Sequence, residues 1–188
     1  MTDEGQRGPS RRGVFTARTQ LLSGADVSRV LRRMAHEVLE RHGDIGPVVI
    51  IGLQSGGVPF AQRLREVLAE IAGDAVDFGT LDVSYYRDDL ERRPVHDASV
   101  TAIPVDLAER VVVLVDDVLY TGRTIRAALS ALSEWGRPRS VELAVIVDRG
   151  HRQLPIRPDY VGKNLPTSLR EAVVANLDGV WIGTEEFS

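Results

Sequence analysis

The chain has 188 residues, 43% of them hydrophobic and 27% charged, with a net charge of −4 and no cysteine. That length suits one compact domain with a real core, and the missing thiols exclude disulfides and thiolate metal sites. No apolar run reaches the ~18 residues of a membrane span, and the N-terminus lacks the apolar stretch of a secretion signal, so the expectation is a cytoplasmic protein without a membrane role. Its acidity means that nucleic-acid binding would need a local basic patch.

Residues 1–18 are rich in Gly, Arg, Ser and Thr without apolar periodicity and read as a flexible tail, leaving 19–188 as a single domain. Ala25–His42 places Val27, Val30, Leu31, Met34, Val38 and Leu39 at helical spacing, with Ser23 or Asp26 to cap its start and Gly43 to stop it. Pro47–Leu53 is a continuous β-branched apolar run, the pattern of a strand buried on both faces. Gly56–Gly57 turns the chain into a helix over Pro59–Ala72, and Phe78–Tyr86 reads as a strand. Arg87–Pro104 is polar and reads as a long loop, the kind that is usually functional. Arg110–Val115 is a second core strand, followed by a helix to about Trp135 and a third strand at Val141–Val147. Pro155–Pro166 looks irregular, and Val173–Val174 and Val180–Ile182 are late strands. Alternating strands and helices imply an α/β fold with a central, mostly parallel sheet flanked by helices.

The segment Val111–Thr124, VVVLVDDVLYTGRT, carries the chemistry. A buried strand ends in Asp116 and Asp117, at the edge where α/β sheets gather ligands. Thr121-Gly122-Arg123-Thr124 then opens a helix, whose first turn offers backbone N–H groups and a partial positive charge to an anion. Gly122 permits close approach, and Thr121 and Thr124 add hydroxyl donors. The carboxylates suit sugar hydroxyls, or Mg²⁺ held through water. Aspartates that merely cap the helix are the plain alternative, but strand, acid pair, Thr-Gly turn and helix in this order favour a sugar phosphate. No Walker A or GxGxxG pattern occurs, and His36, His42, His96 and His151 lack metal-ligand spacing.

This segment resembles the phosphoribosyl pyrophosphate (PRPP) motif of type I phosphoribosyltransferases. With SYYRDDL at 84–90, GRP at 136–138 and VDRGHRQLPIRPDYVGKNLPTS at 147–168, the chain from about Ala25 to Leu177 is similar to the PyrR family of bifunctional pyrimidine operon regulators and uracil phosphoribosyltransferases. The resemblance implies the type I fold with a small hood region. It also implies transfer from PRPP to uracil, giving UMP and pyrophosphate with Mg²⁺ as cofactor, and a UMP- or UTP-responsive protein that binds a leader mRNA stem-loop as a homodimer or tetramer. By the resemblance, Asp116 and Asp117 take the ribose hydroxyls and the metal. Val118, Leu119, Tyr120, Thr121, Gly122, Arg123 and Thr124 cradle the 5′-phosphate, and Arg149 and Val173 line the base pocket. Tyr85–Asp89 lies on a closing loop, with Arg87 as a catalytic residue beside Asp116 and Asp117. Purine-type relatives carry an acid where Tyr120 stands, so no obvious general base is present. A salvage phosphoribosyltransferase without RNA regulation is the alternative.

One departure stands out. The family's loop after the first core strand usually reads Thr-Arg-Gly, its arginine facing pyrophosphate; here it reads Ser55-Gly56-Gly57. Ser55 and Gly56 can still bind substrate through hydrogen bonds, but a fixed cation is lost, so reduced turnover is expected unless Arg87 or another residue substitutes. Basic residues on a helix are most often a solvated face. The resemblance instead assigns RNA contacts to Arg29, Arg33, His36 and Arg41 on the first helix, and to His151, Arg152, Arg157 and Lys163 later in the chain.

Overall fold

A computed structural model describes residues 13–54, 56–84 and 100–187. Five strands form one parallel sheet in the order β3-β2-β4-β5-β6: β2 (Val48–Leu53), β3 (Asp77–Leu81), β4 (Val111–Leu119), β5 (Ser140–Asp148) and β6 (Tyr160–Asn164). Alternate side chains of the central strands feed two cores. Val48, Ile50, Val113, Val115 and Ile146 pack under α1 (Gly24–His42) and α2 (Gly57–Ala72). Val49, Ile51, Val112, Leu114 and Val145 pack under α3 (Arg123–Leu132) on the opposite face. This double burial is why the strands read as unbroken apolar runs. A smaller antiparallel sheet, β1-β8-β7, is built from β1 (Gly13–Ser23), β8 (Gly179–Phe187) and β7 (Ala172–Asn176), and supplies the expected hood.

The helix limits follow their signals. Ser23 accepts from the Asp26 N–H while the Asp26 carboxylate accepts from the Ser23 N–H, a capping box that holds the Asp26 carboxyl below its ordinary range. Gly43, at φ 68°, closes α1 through an N–H bond to the Leu39 carbonyl.

Several expectations are corrected. Residues 13–18, read as tail, form the start of β1, because β8 supplies a pairing partner from the far end of the sequence. β3 stops at Leu81, where the Asp82 carboxylate accepts from the Ser84 N–H and hydroxyl and draws the backbone out of the ladder. α3 ends at Leu132, and shorter turns carry the chain to Trp135. The stretch expected to be irregular contains β6, a five-residue edge strand paired only with β5.

Candidate functional site

β4 does not stop at Val115 as expected but runs through the aspartates to Leu119. Its pairing with β2 ends at Val115, whereas its pairing with β5 continues to Leu119 opposite Asp148. The segment 116–119 therefore projects past β2 at the carboxyl edge of the sheet. Asp116 is buried, at 3% exposure, and accepts from the Asp117 N–H at 3.0 Å; Asp117 accepts from the Val118 N–H at 2.7 Å.

The glycine turn after β2 closes on this projection. A Cβ on Gly57 would lie 2.0 Å from the Val115 carbonyl oxygen, and one on Gly56 would lie 2.5 Å from an Asp117 carboxylate oxygen. At Gly57 the neighbour is backbone and only hydrogen fits, while at Gly56 it is the end of the Asp117 side chain, so the two loops that the sequence marks as substrate-binding abut. Gly122 adopts φ 91° at the start of α3, a conformation in which L side chains are strained. Thr121, Gly122, Arg123 and Thr124 thus form the turn and first residues of a helix whose amino end faces the sheet edge. Ser55, Arg87 and the loop at Tyr85–Asp89 lie outside the described residues.

Beyond β4, the Arg149 guanidinium lies 4.1 Å from the centre of the Tyr120 ring, and His151 meets that ring edge-on at 5.9 Å. Arg149 is buried and donates to the Thr167 hydroxyl and to the Ser168 and Glu171 carbonyls. Burial pulls its guanidinium pKa down from the usual arginine value, and neighbouring Tyr120 and Glu171 oppose that shift. These bonds tie the end of β5 to the loop before β7, on which Val173 sits half-buried against the α1 side of the core.

The basic residues Arg29, Arg33, His36, His151, Arg157 and Lys163 are exposed. Arg33 donates to the Val161 and Gly162 carbonyls at 2.9 Å, which fastens α1 to β6 and brings the helix row beside Lys163. Arg29 pairs with Asp26 and Arg33 with Glu37, surface pairs of little worth that an incoming phosphate can replace. Arg41 is as exposed as Arg33, its side chain at 48% against 47%, and Arg152 is half-buried. Arg41 engages Asp159 at 3.0 Å and Glu142 at 3.2 Å near the amino ends of β5 and β6. Arg152, whose side chain is 21% exposed, donates to Asp148 at 2.5 Å and to main-chain carbonyls. Helical spacing does not show the partners of Arg41, which come from distant segments of the chain.

Two residues of this region escaped the sequence reading. Asp148 ends β5 as Asp116 follows the apolar run of β4, a valine run closed by an acid, and that shared pattern was the available signal. Gln153 accepts from Arg123 Nε at 3.0 Å, and nothing in the sequence points to it.

Comparison with known proteins agrees with this architecture. A family model described as phosphoribosyl transferase domain matches residues 17–176. Hypoxanthine phosphoribosyltransferase structures share the fold. The Trypanosoma cruzi enzyme has a TM-score of 0.69 at 20% identity, covering 90% of this chain and 98% of its own. A Staphylococcus aureus enzyme gives 0.66 at 21%, covering 90% and 93%. The fold is therefore that of a type I phosphoribosyltransferase. Sequence similarity narrows this to relatives each named bifunctional protein PyrR. That of Streptomyces coelicolor is 55% identical over 158 residues, covering 84% of this chain and 82% of the relative. That of Chloroflexus aurantiacus is 50% identical over 165 residues (86% and 91%), and that of Bacillus subtilis 47% over 163 (85% and 90%). The chain belongs to the PyrR family of phosphoribosyl transferase domain proteins. Among the described residues, no helix is long and apolar enough to cross a membrane.

Proposed function

We propose that the protein transfers the phosphoribosyl group of PRPP to uracil, giving UMP and pyrophosphate, and that its UMP- or UTP-loaded form binds a leader mRNA stem-loop to lower pyrimidine gene expression in the cytoplasm. The observation that carries the reading is the projecting end of β4, where Asp116 and Asp117 stand beside the Thr121-Gly122 opening of α3. The aspartates accept hydrogen bonds from the ribose hydroxyls, and the amino end of α3 with Thr121 and Thr124 holds the 5′-phosphate. Tyr120, Arg149 and Val173 bound the space for the base.

Positive charge builds at the sugar carbon as its bond to pyrophosphate breaks, so a buried carboxylate at the ribose stabilises that state. Among the described residues no three acidic, His or Cys groups converge as a metal cage. The donor set fits Mg²⁺ held by one or both aspartates, directly or through water, and completed by substrate oxygens. Bound Mg²⁺ supplies charge neutralisation for the departing pyrophosphate. The Ser55-Gly56-Gly57 turn supplies no side-chain cation there, so turnover is reduced relative to relatives with arginine at that place, on the order of 30- to 1000-fold for one missing donor. RNA meets the exposed row of Arg29, Arg33, His36 and Lys163 with His151 and Arg157, in a homodimer or tetramer.

Titration of the protein with UMP, GMP, PRPP and uracil, with and without Mg²⁺, tests the site. UMP is expected to bind more tightly than GMP, and PRPP to gain affinity with Mg²⁺. Equal affinity for GMP and UMP would remove the uracil assignment. In a gel shift, a pyrimidine-leader stem-loop is expected to bind more tightly with UMP; no preference over random RNA would remove the regulatory half.

A further inference from the structure

Three successive carbonyls of the proposed phosphate loop are held from outside by one short segment. The Leu119 carbonyl accepts from the Arg149 N–H at 3.1 Å, and that of Thr121 from the Gln153 N–H at 3.0 Å. Between them, the Tyr120 carbonyl accepts from the Arg152 guanidinium at 2.8 Å. The middle grip is made by a side chain alone, and the Arg152 guanidinium also reaches the Leu119 carbonyl at 3.5 Å. The same guanidinium donates to the Ile156 carbonyl at 3.0 Å and to the Asp148 carboxylate at 2.5 Å, so its planar fork is fixed from three directions.

This clamp has a directional consequence. In a trans peptide unit the carbonyl and the following N–H point opposite ways, and no cis peptide occurs among the described residues. A Tyr120 carbonyl turned toward Arg152 therefore turns the Thr121 N–H the other way. The flanking grips do the same for the N–H groups of Tyr120 and Gly122. The outer clamp thus sets the aim of the inner donors, and donor aim governs anion affinity.

We infer that Arg152 is a positioning residue for the nucleotide phosphate, acting through the Tyr120 carbonyl, rather than a contact to RNA phosphate. RNA binding then depends on Arg152 indirectly. The segment that carries exposed His151 and Arg157 is the same one that grips the phosphate loop, so nucleotide occupancy and the placement of that basic segment are coupled. The inference rests on the proposed UMP site.

The test uses the full chain with Arg152→Gln and two readouts: calorimetric titration with UMP in the absence of RNA, and leader stem-loop binding across a salt series. The expected result is a UMP dissociation constant raised at least tenfold, with the slope of log affinity against log salt unchanged, because no RNA phosphate contact is lost. A UMP constant within twofold of wild type overturns the inference, and a salt slope shallower by about one would show a direct phosphate contact instead. Should Arg152→Gln fail to fold, Arg152→Lys keeps the charge but loses the fork; weaker UMP binding by several-fold supports the inference, and wild-type affinity overturns it. Failure of the wild-type protein itself to bind UMP would sink the proposed function instead.

Discussion

The Tyr160 hydroxyl donates a 2.6 Å hydrogen bond to Glu142, a carboxylate buried between β5, β6 and the end of α1. His42 Nε2 lies 3.0 Å from the same oxygen and Arg41 Nε lies 3.2 Å from the other. A buried carboxylate is tolerated only when its lone pairs are taken up this way. Tyr160→Phe is therefore expected to cost about 1–3 kcal/mol of stability, measured by urea unfolding.

The same pair sets a pH dependence. Burial first, and then the bond to Glu142, push the Tyr160 phenol above its ordinary value of 10.0. The folded state favours the neutral phenol, so its contribution is complete below 10.0 and is lost as pH rises toward the raised folded value. The stability gap between wild type and Tyr160→Phe should narrow as pH rises through about 10 to 11. A gap constant across that range would show that the phenol is not held neutral.

Gly122 takes φ 91°, and a Cβ there would meet Ile156 at 3.3 Å. Gly122→Ala should cost roughly 1–2 kcal/mol in backbone strain and weaken UMP binding by about tenfold as the helix start shifts. Calorimetry with UMP and a melting curve check both effects.

Sequence comparison suggests that restoring arginine at position 56 would raise turnover. The structure argues against it. Gly56 has φ 149°, and a Cβ would sit 2.5 Å from the Asp117 carboxylate. Gly56→Arg is expected to leave kcat for uracil and PRPP at or below the wild-type value and to lower thermal stability. A rise in kcat would mean that the loop rearranges to admit the side chain.

Lys163 is exposed on the edge strand beside the α1 row. Lys163→Gln should weaken leader RNA binding across sequences and reduce the salt slope by about one, with UMP affinity unchanged. Binding isotherms at several salt concentrations decide it.

The parallel sheet and its helices were legible because burial on both faces leaves unbroken runs such as Val48–Leu53, and because Ser23 and Gly43 mark helix ends locally. Val111–Thr124 announced its edge for the same reason, although the polar residues at 116 and 117 concealed that β4 continues along β5. β1 and β6 were hidden because each owes its existence to one partner strand. The partners of Arg41 and Arg152 were hidden in a related way: charge is visible in a sequence, but the carboxylates and carbonyls it meets are set by the fold.

The register of the hood sheet, Gly13 opposite Phe187 and Ser23 opposite Gly179, has a bearing on biogenesis. A ribosome releases β1 first and β8 after every other strand described, so β1 must wait with an unmatched edge while the parallel sheet assembles. Such an edge is a template for pairing with another nascent copy. The Thr, Arg and Gln side chains scattered along β1 make that exposure tolerable and keep the early strand in solution until its own partner emerges.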